Sequence, residues 1–113
     1  MELKAFYTDD SYTHLTLTGK MDIAGVKEIA DKFSRLAVER KRNVIVEMSG
    51  VTFLGSMGLR ILLSAAKSLK QEKKKLILLN PQPLVNEVLE ASGIGDVVAI
   101  EHDTASAVAQ AQA

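Results

Sequence analysis

Polar and apolar residues alternate over Leu3 to Tyr7 and again over Tyr12 to Leu17. This predicts two strands, and Asp9-Asp10-Ser11 between them supplies turn chemistry for a hairpin. After Gly19 and Asp22 the period changes. Val26, Ile29, Ala30, Phe33 and Ala37 recur at helical spacing, while Lys27, Glu28, Asp31, Lys32 and Arg35 mostly fall elsewhere, as in an amphipathic helix. Asn43 to Met48 is short, β-branched and apolar, which predicts a central strand covered by helices. The apolar run then breaks at Gly55-Ser56-Met57-Gly58, and helical spacing resumes with Leu59, Leu62, Leu63, Ala66 and Leu69. Ser56 is expected to cap that helix, which sets its hydroxyl beside backbone N–H groups that lack helical partners and suits it to carry a phosphate.

Leu76 to Leu79 predicts another buried strand. Asn80-Pro81-Gln82-Pro83 is a breaker that can open a helix whose inner stripe is Leu84, Val85, Val88 and Leu89, stopped at Ser92-Gly93. Val97 to Ile100 reads as a last short strand, and Asp103 as the cap of an alanine-rich helix over Thr104 to Ala113. Strands and helices that alternate after a hairpin predict the α/β class: a single domain over residues 1–113, with a mixed, mostly parallel sheet of about five strands and about four helices. Helix faces with four or five large apolar side chains, each contributing roughly 1.5–3 kcal/mol on full burial, hold such a sheet together without a metal or cofactor.

Composition narrows the function. The chain has 113 residues, 47% of them hydrophobic, which suits one core. Fourteen basic and fourteen acidic side chains cancel, so no overall field draws it to nucleic acid or to an anionic membrane, and neither is expected as a partner. Without cysteine it forms no disulfide, thiolate nucleophile or Cys-based zinc site. The beginning, Met1-Glu2-Leu3-Lys4, leads into no long apolar stretch, and nothing approaches the roughly 20 apolar residues of a membrane span, so a soluble, cytoplasmic protein is expected. Lys67, Lys70, Lys73, Lys74 and Lys75 form either a patch for acidic partners or, more simply, cations placed favourably at a helix C-terminus.

Catalytic constellations are scarce. His14 lies within a strand-like segment and His102 in a polar turn, neither at ligand spacing, so no protein-ligated metal is expected. Gly55-Ser56-Met57-Gly58 matches neither G-x-S-x-G nor the P-loop, and nothing in the spacing assembles Ser56, His14 and Asp22 into a triad. No catalytic residue and no cofactor are assigned. An anion or nucleotide over the Ser56 helix start would find Arg60 as its nearest cation in sequence.

Four segments, in order, resemble the STAS domain family, the anti-sigma factor antagonists. Leu17-Thr18-Gly19-Lys20-Met21-Asp22 looks like the family's L-x-G-x-x-D. Val44 to Gly58, VIVEMSGVTFLGSMG, looks like its strand, loop and helix start, which end in F-x-D-S-S/T-G. Leu76 to Asn80 with Pro83, and then Leu89 to Ile94 (LEASGI), look like the later strand and the L-x-x-S-G-L/I helix end.

The resemblance implies a non-enzymatic switch module that binds an anti-sigma factor or serine-protein kinase when unmodified, releases it on phosphorylation and is reset by a cognate phosphatase. It also implies a partner surface over Asp22, Gly55, Ser56, Met57, Gly58 and Arg60, on a monomer or weak dimer. Gly55 stands where the family usually has aspartate, and Met57 where it usually has the phosphorylated serine or threonine. Ser56, matching the family's first serine, is therefore the phosphorylation candidate, alongside overlapping roles as helix cap and direct partner contact. Met57 reads as an adaptable apolar anchor or as core filling. Gly55 and Gly58 read as positions of unusual backbone angle or close approach. Asp22 corresponds to the family's acidic residue near the phosphorylation site, where it orients hydroxyls or repels phosphate, or simply caps the helix from Ile23. The alternative to a switch is a constitutive STAS adaptor or scaffold that is not phosphorylated, and the enzyme alternative is a small serine-dependent hydrolase or phosphotransferase.

Overall fold

The computed structural model describes residues 1–6 and 11–113, so the predicted turn at Asp9-Asp10 and the strand residue Tyr7 lie outside the described residues. Strands β1 (Glu2–Phe6) and β2 (Tyr12–Met21) precede helix α1 (Ile23–Phe33). Then follow β3 (Asn43–Leu54), α2 (Ser56–Gln71), β4 (Leu76–Leu79), α3 (Pro83–Ser92), β5 (Ala99–Glu101) and α4 (Thr104–Gln112). They form a single domain.

The sheet order is β1-β2-β3-β4-β5, antiparallel only between β1 and β2. Each parallel crossover steps to the next strand in the same direction, and right-handed crossovers then put all their helices on one face. Val26, Ile29 and Phe33 of α1, Leu62 and Leu69 of α2, and Val85 and Leu89 of α3 accordingly share one core with Leu15, Val46 and Leu78 of the sheet. The other face carries a smaller core in which, among the described residues, α4 covers Tyr12, Ile45, Ile77 and Leu79 through Ala107 and Ala111. Asn43 fastens that helix: its Nδ2 donates to the Ala111 carbonyl at 2.7 Å and its Oδ1 accepts from the Lys75 amide at 2.9 Å.

Several elements depart from the sequence reading. β2 and β3 run well past Leu17 and Met48 because beyond the end of β4 they continue to pair with each other. β3 uses 12 residues against the 10 of β2, and two register shifts take up the excess. α1 leads into a wide π-type turn over Ser34–Val38, closed by the Glu39 amide on the Ser34 carbonyl at 3.1 Å, which still buries Ala37. Leu84, expected in the α3 stripe, is 74% exposed, since Val85 and Leu89 alone face the core squarely and Val88 is half-buried. In α2, Leu59 and Leu63 are only half-buried. Ile94–Asp96 forms a 3₁₀ turn, which delays the last strand to Ala99. Gly93 ends α3 at φ 75°, as its position after Ser92 implied, and Asp103 caps α4 by accepting from the Ser106 amide at 2.8 Å.

Candidate functional site

β2 and β3 end side by side, with Lys20 opposite Phe53 and Met21 opposite Leu54. Each strand then passes through one extended residue into a helix: Asp22 (φ −93°, ψ −174°) before α1 and Gly55 (φ −99°, ψ −176°) before α2. The two helix N-termini therefore open in parallel, and the Gly55 amide donates to the Met21 carbonyl at 3.1 Å between them.

Two close approaches make this juxtaposition feasible. A Cβ on Gly25 would stand 2.0 Å from the Lys20 carbonyl oxygen, and one on Gly58 would stand 2.6 Å from Leu54 Cδ1 and 2.8 Å from Met21 Cβ. Gly58 thus meets the expectation of close approach, but it is buried, so it positions α2 and offers no surface to a partner. Gly55 needs no unusual backbone angle. Its backbone is ordinary extended chain, and its demand for a small residue comes only from the Phe53 ring, 3.1 Å from a Cβ placed there. Gly25 had no motif to mark it in the sequence.

The two N-termini are finished differently. The Asp22 carboxylate caps α1, its Oδ1 accepting from the Gly25 amide at 2.8 Å. The N-cap of α2 is Gly55, not Ser56 as expected, and no side chain caps that helix. Ser56 is instead the exposed first helical residue. The first backbone bond of α2 is the Leu59 amide on the Gly55 carbonyl at 3.1 Å, so the amides of residues 56–58 precede the helical ladder and lack a side-chain acceptor. No acidic residue occupies the first turn to answer the dipole.

Asp22, Ile23, Phe53, Gly55, Ser56 and Met57 surround one hollow of about 440 Å³. Ile23 is 61% and Phe53 50% exposed, while Met57 is half-buried and packs against the main core. Neither exposed residue was singled out from the sequence. Strict alternation from Val51 turns Phe53 inward, but the register shift between Gly19 and Lys20 adds a residue to β3 and turns it out. Arg60 stands apart from this hollow. It lines a second one, of about 470 Å³, together with Leu59, Leu63, Lys67, Ile94 and Val97 among others, and Ser56 borders both. Ser56 does not meet a histidine: His14 lines a third hollow with Glu47 and Leu79, on the sheet face that α4 partly covers, and His102 lies in the exposed turn before α4. The Ser56–His14–Asp22 triad is not assembled.

The STAS domain family profile matches residues 4–111. An anti-sigma-B factor antagonist of Staphylococcus aureus is 23% identical over 97 residues, which span 86% of this chain and 90% of that protein. An anti-sigma factor antagonist from Mycobacterium paratuberculosis superposes with a TM-score of 0.84 at 16% identity, covering 99% of this chain and 96% of the other. The anti-sigma factor antagonist SpoIIAA of Bacillus superposes in its unphosphorylated form with a TM-score of 0.77 at 23% identity, covering 95% and 93% of the two chains. Its phosphorylated form superposes with a TM-score of 0.72, covering 96% and 97%. Among the described residues no helix is long and apolar enough to cross a membrane. With its five-stranded mixed sheet, four helices and a family match running nearly end to end, this chain belongs to the STAS domain family.

Proposed function

We propose that this protein is an anti-sigma factor antagonist that docks a serine kinase or anti-sigma partner on the surface around Asp22, Ile23, Phe53, Ser56 and Met57, and that phosphorylation of Ser56 turns docking off. One observation carries this reading: Ser56 is exposed at an uncapped helix start and shares a hollow with a carboxylate and two exposed apolar side chains. Exposed Ile23 and Phe53 are the kind of apolar anchor that a protein interface buries at its centre. A phosphoserine adds about −1.5 to −2 charge, which the free amides and dipole of α2 tolerate without rearranging the fold. The same charge opposes a docked partner by repulsion and by hydration of a surface that must dry. Asp22 adds to that field from across the hollow. Arg60, on the flank of α2 and beside Ser56 in the second hollow, extends the contact surface.

The test is capture from the protein's own cells with wild type, Ser56→Ala and Ser56→Asp as baits, joined to intact-mass measurement after incubation with the captured kinase and ATP. A kinase or anti-sigma protein held by wild type and Ser56→Ala but not by Ser56→Asp, with one phosphate gained only by wild type, is the expected result. Recovery of no such partner overturns the reading.

Met57 at the family's usual acceptor position favours a second reading, a constitutive adaptor of the same surface. In that case Ser56→Asp retains the partner and no phosphate is gained.

A further inference from the structure

Among the described residues, the sheet face opposite the three crossover helices is only partly covered. α4 lies over Tyr12, Ile45 and Ile77, and beyond its first residue, Thr104, a hollow of about 380 Å³ opens over Phe6, His14, Thr16, Glu47 and Leu79. That volume falls within the range of small-ligand sites. We propose that this hollow binds a small free organic cation, an ammonium or guanidinium group carried on a short apolar body.

The lining is selective by charge. Glu47 is half-buried, and its Oε1 accepts a long hydrogen bond from the Asn80 amide at 3.5 Å. Among the described residues no lysine or arginine pairs with it, and no cationic side chain lines the hollow. Lys4, on the same sheet face through its register with Thr16, is held by Glu2 at 3.1 Å. Glu101 lies in the same cross-strand row as Glu47, with Leu79 between them, so the field of the row is negative. The hydroxyls of Thr16 and Thr104 can accept from a donor cation, and the Glu47 carboxylate is the group that disfavours anions.

The remaining walls suit the rest of such a molecule. The Phe6 ring, 48% exposed, lines the same hollow and stands 6.0 Å from the His14 ring at an interplanar angle of 59°, so it offers the guest an aromatic wall, and Leu79 gives an apolar one. Burial pushes the His14 pKa below its usual value, so at neutral pH the imidazole is uncharged and does not oppose the guest.

The test is amide-resolved NMR titration of the whole protein at neutral pH with butylammonium and butylguanidinium. Butanol and butyrate serve as controls, and a blocked arginine amide stands for a side chain presented by a polypeptide. Saturable shifts confined to the neighbourhood of Phe6, His14, Glu47, Leu79 and Thr104, roughly tenfold weaker in Glu47→Gln and weakened in Phe6→Leu, are the expected result, since a charge-assisted bond and a ring contact are lost. The unliganded spectra show whether each variant keeps the fold. Absence of saturable shifts, equal binding by butanol, or unchanged binding in Glu47→Gln overturns the proposal. Equal binding of the blocked arginine amide overturns the free ligand in favour of a partner's side chain.

Discussion

The Gly55 amide donates to the Met21 carbonyl at 3.1 Å, joining the last residue of β2 to the residue that opens α2. Through this one backbone bond the Asp22 turn and the Ser56 turn form a single rigid corner. The partner surface proposed above is built on it, and changes that move either helix start are expected to disturb both.

The glycines that allow the corner make it sensitive to a single methyl group. Gly25→Ala is expected to cost at least the upper end of the roughly 1–3 kcal/mol typical of overpacking, because the new Cβ meets backbone, the Lys20 carbonyl, which cannot rotate away. Gly58→Ala is also expected to cost about 1–3 kcal/mol: Leu54 Cδ1 can swing aside, but Met21 Cβ, 2.8 Å from the added atom, is fixed to the backbone. Gly95→Ala, with nothing within 4 Å of the added atom, serves as the control and should stay within about 0.5 kcal/mol of wild type. Urea unfolding of the three variants ranks them.

Capping separates the structural from the regulatory part of Asp22. Asp22→Ala should lose about 1 kcal/mol with the bond to the Gly25 amide, whereas Asp22→Asn keeps an acceptor and most of the stability. If the charge also serves the partner surface, the asparagine variant alters partner affinity at nearly unchanged melting temperature, which calorimetric binding and thermal melts resolve.

Negative charge at Ser56 is expected to leave the fold intact. Ser56→Asp puts a carboxylate into a first turn that has no acidic residue and no cap, so a stabilisation of about 0.3–1 kcal/mol is predicted at low salt, fading as salt is added. Loss of partner binding together with a raised melting temperature would mark the effect as electrostatic, and thermal melts across a salt series measure it.

His14 sets a pH dependence of stability. Burial lowers its folded-state pKa below the ordinary 6.5, with a smaller opposing pull from Glu47. Between the two values the unfolded chain binds the proton more readily, so stability rises with pH through that window and is lost as pH falls from about 6.5 towards the folded value. His14→Gln should flatten this part of the profile, as followed by denaturant midpoints at successive pH values.

Asn43 ties α4 to the sheet through its Nδ2 on the Ala111 carbonyl, while its Oδ1 accepts from the Lys75 amide just before β4. Asn43→Ala is expected to cost about 2–3 kcal/mol, because the buried groups left behind keep their desolvation penalty. Hydrogen exchange should speed up first in α4, whose other hold on the sheet is the small apolar surface of Ala107, Val108 and Ala111.

The succession of strands and helices, the α/β class, the cores of α1 and α2, the stop at Gly93 and the cap at Asp103 could all be read from the chain. Each follows from local rules: side-chain period, turn chemistry, and a polar acceptor placed before a helix. The motif order also pointed to the family, and that resemblance implied that Asp22 lies near the Ser56 site. What the chain alone left undecided depends on which backbones meet. The exposure of Phe53 comes from a register shift against β2, the depth of Gly58 and Gly25 from how closely two helices lie on strand ends, and the bareness of the α2 start from Gly55 taking the cap position. The hollow at Glu47 lies beyond the start of α4, on the face that β2, β3 and β4 build together. Period and propensity are properties of a few neighbouring residues, whereas register, close approach and cover are set by pairing between segments far apart in sequence, and so only the folded chain decides them.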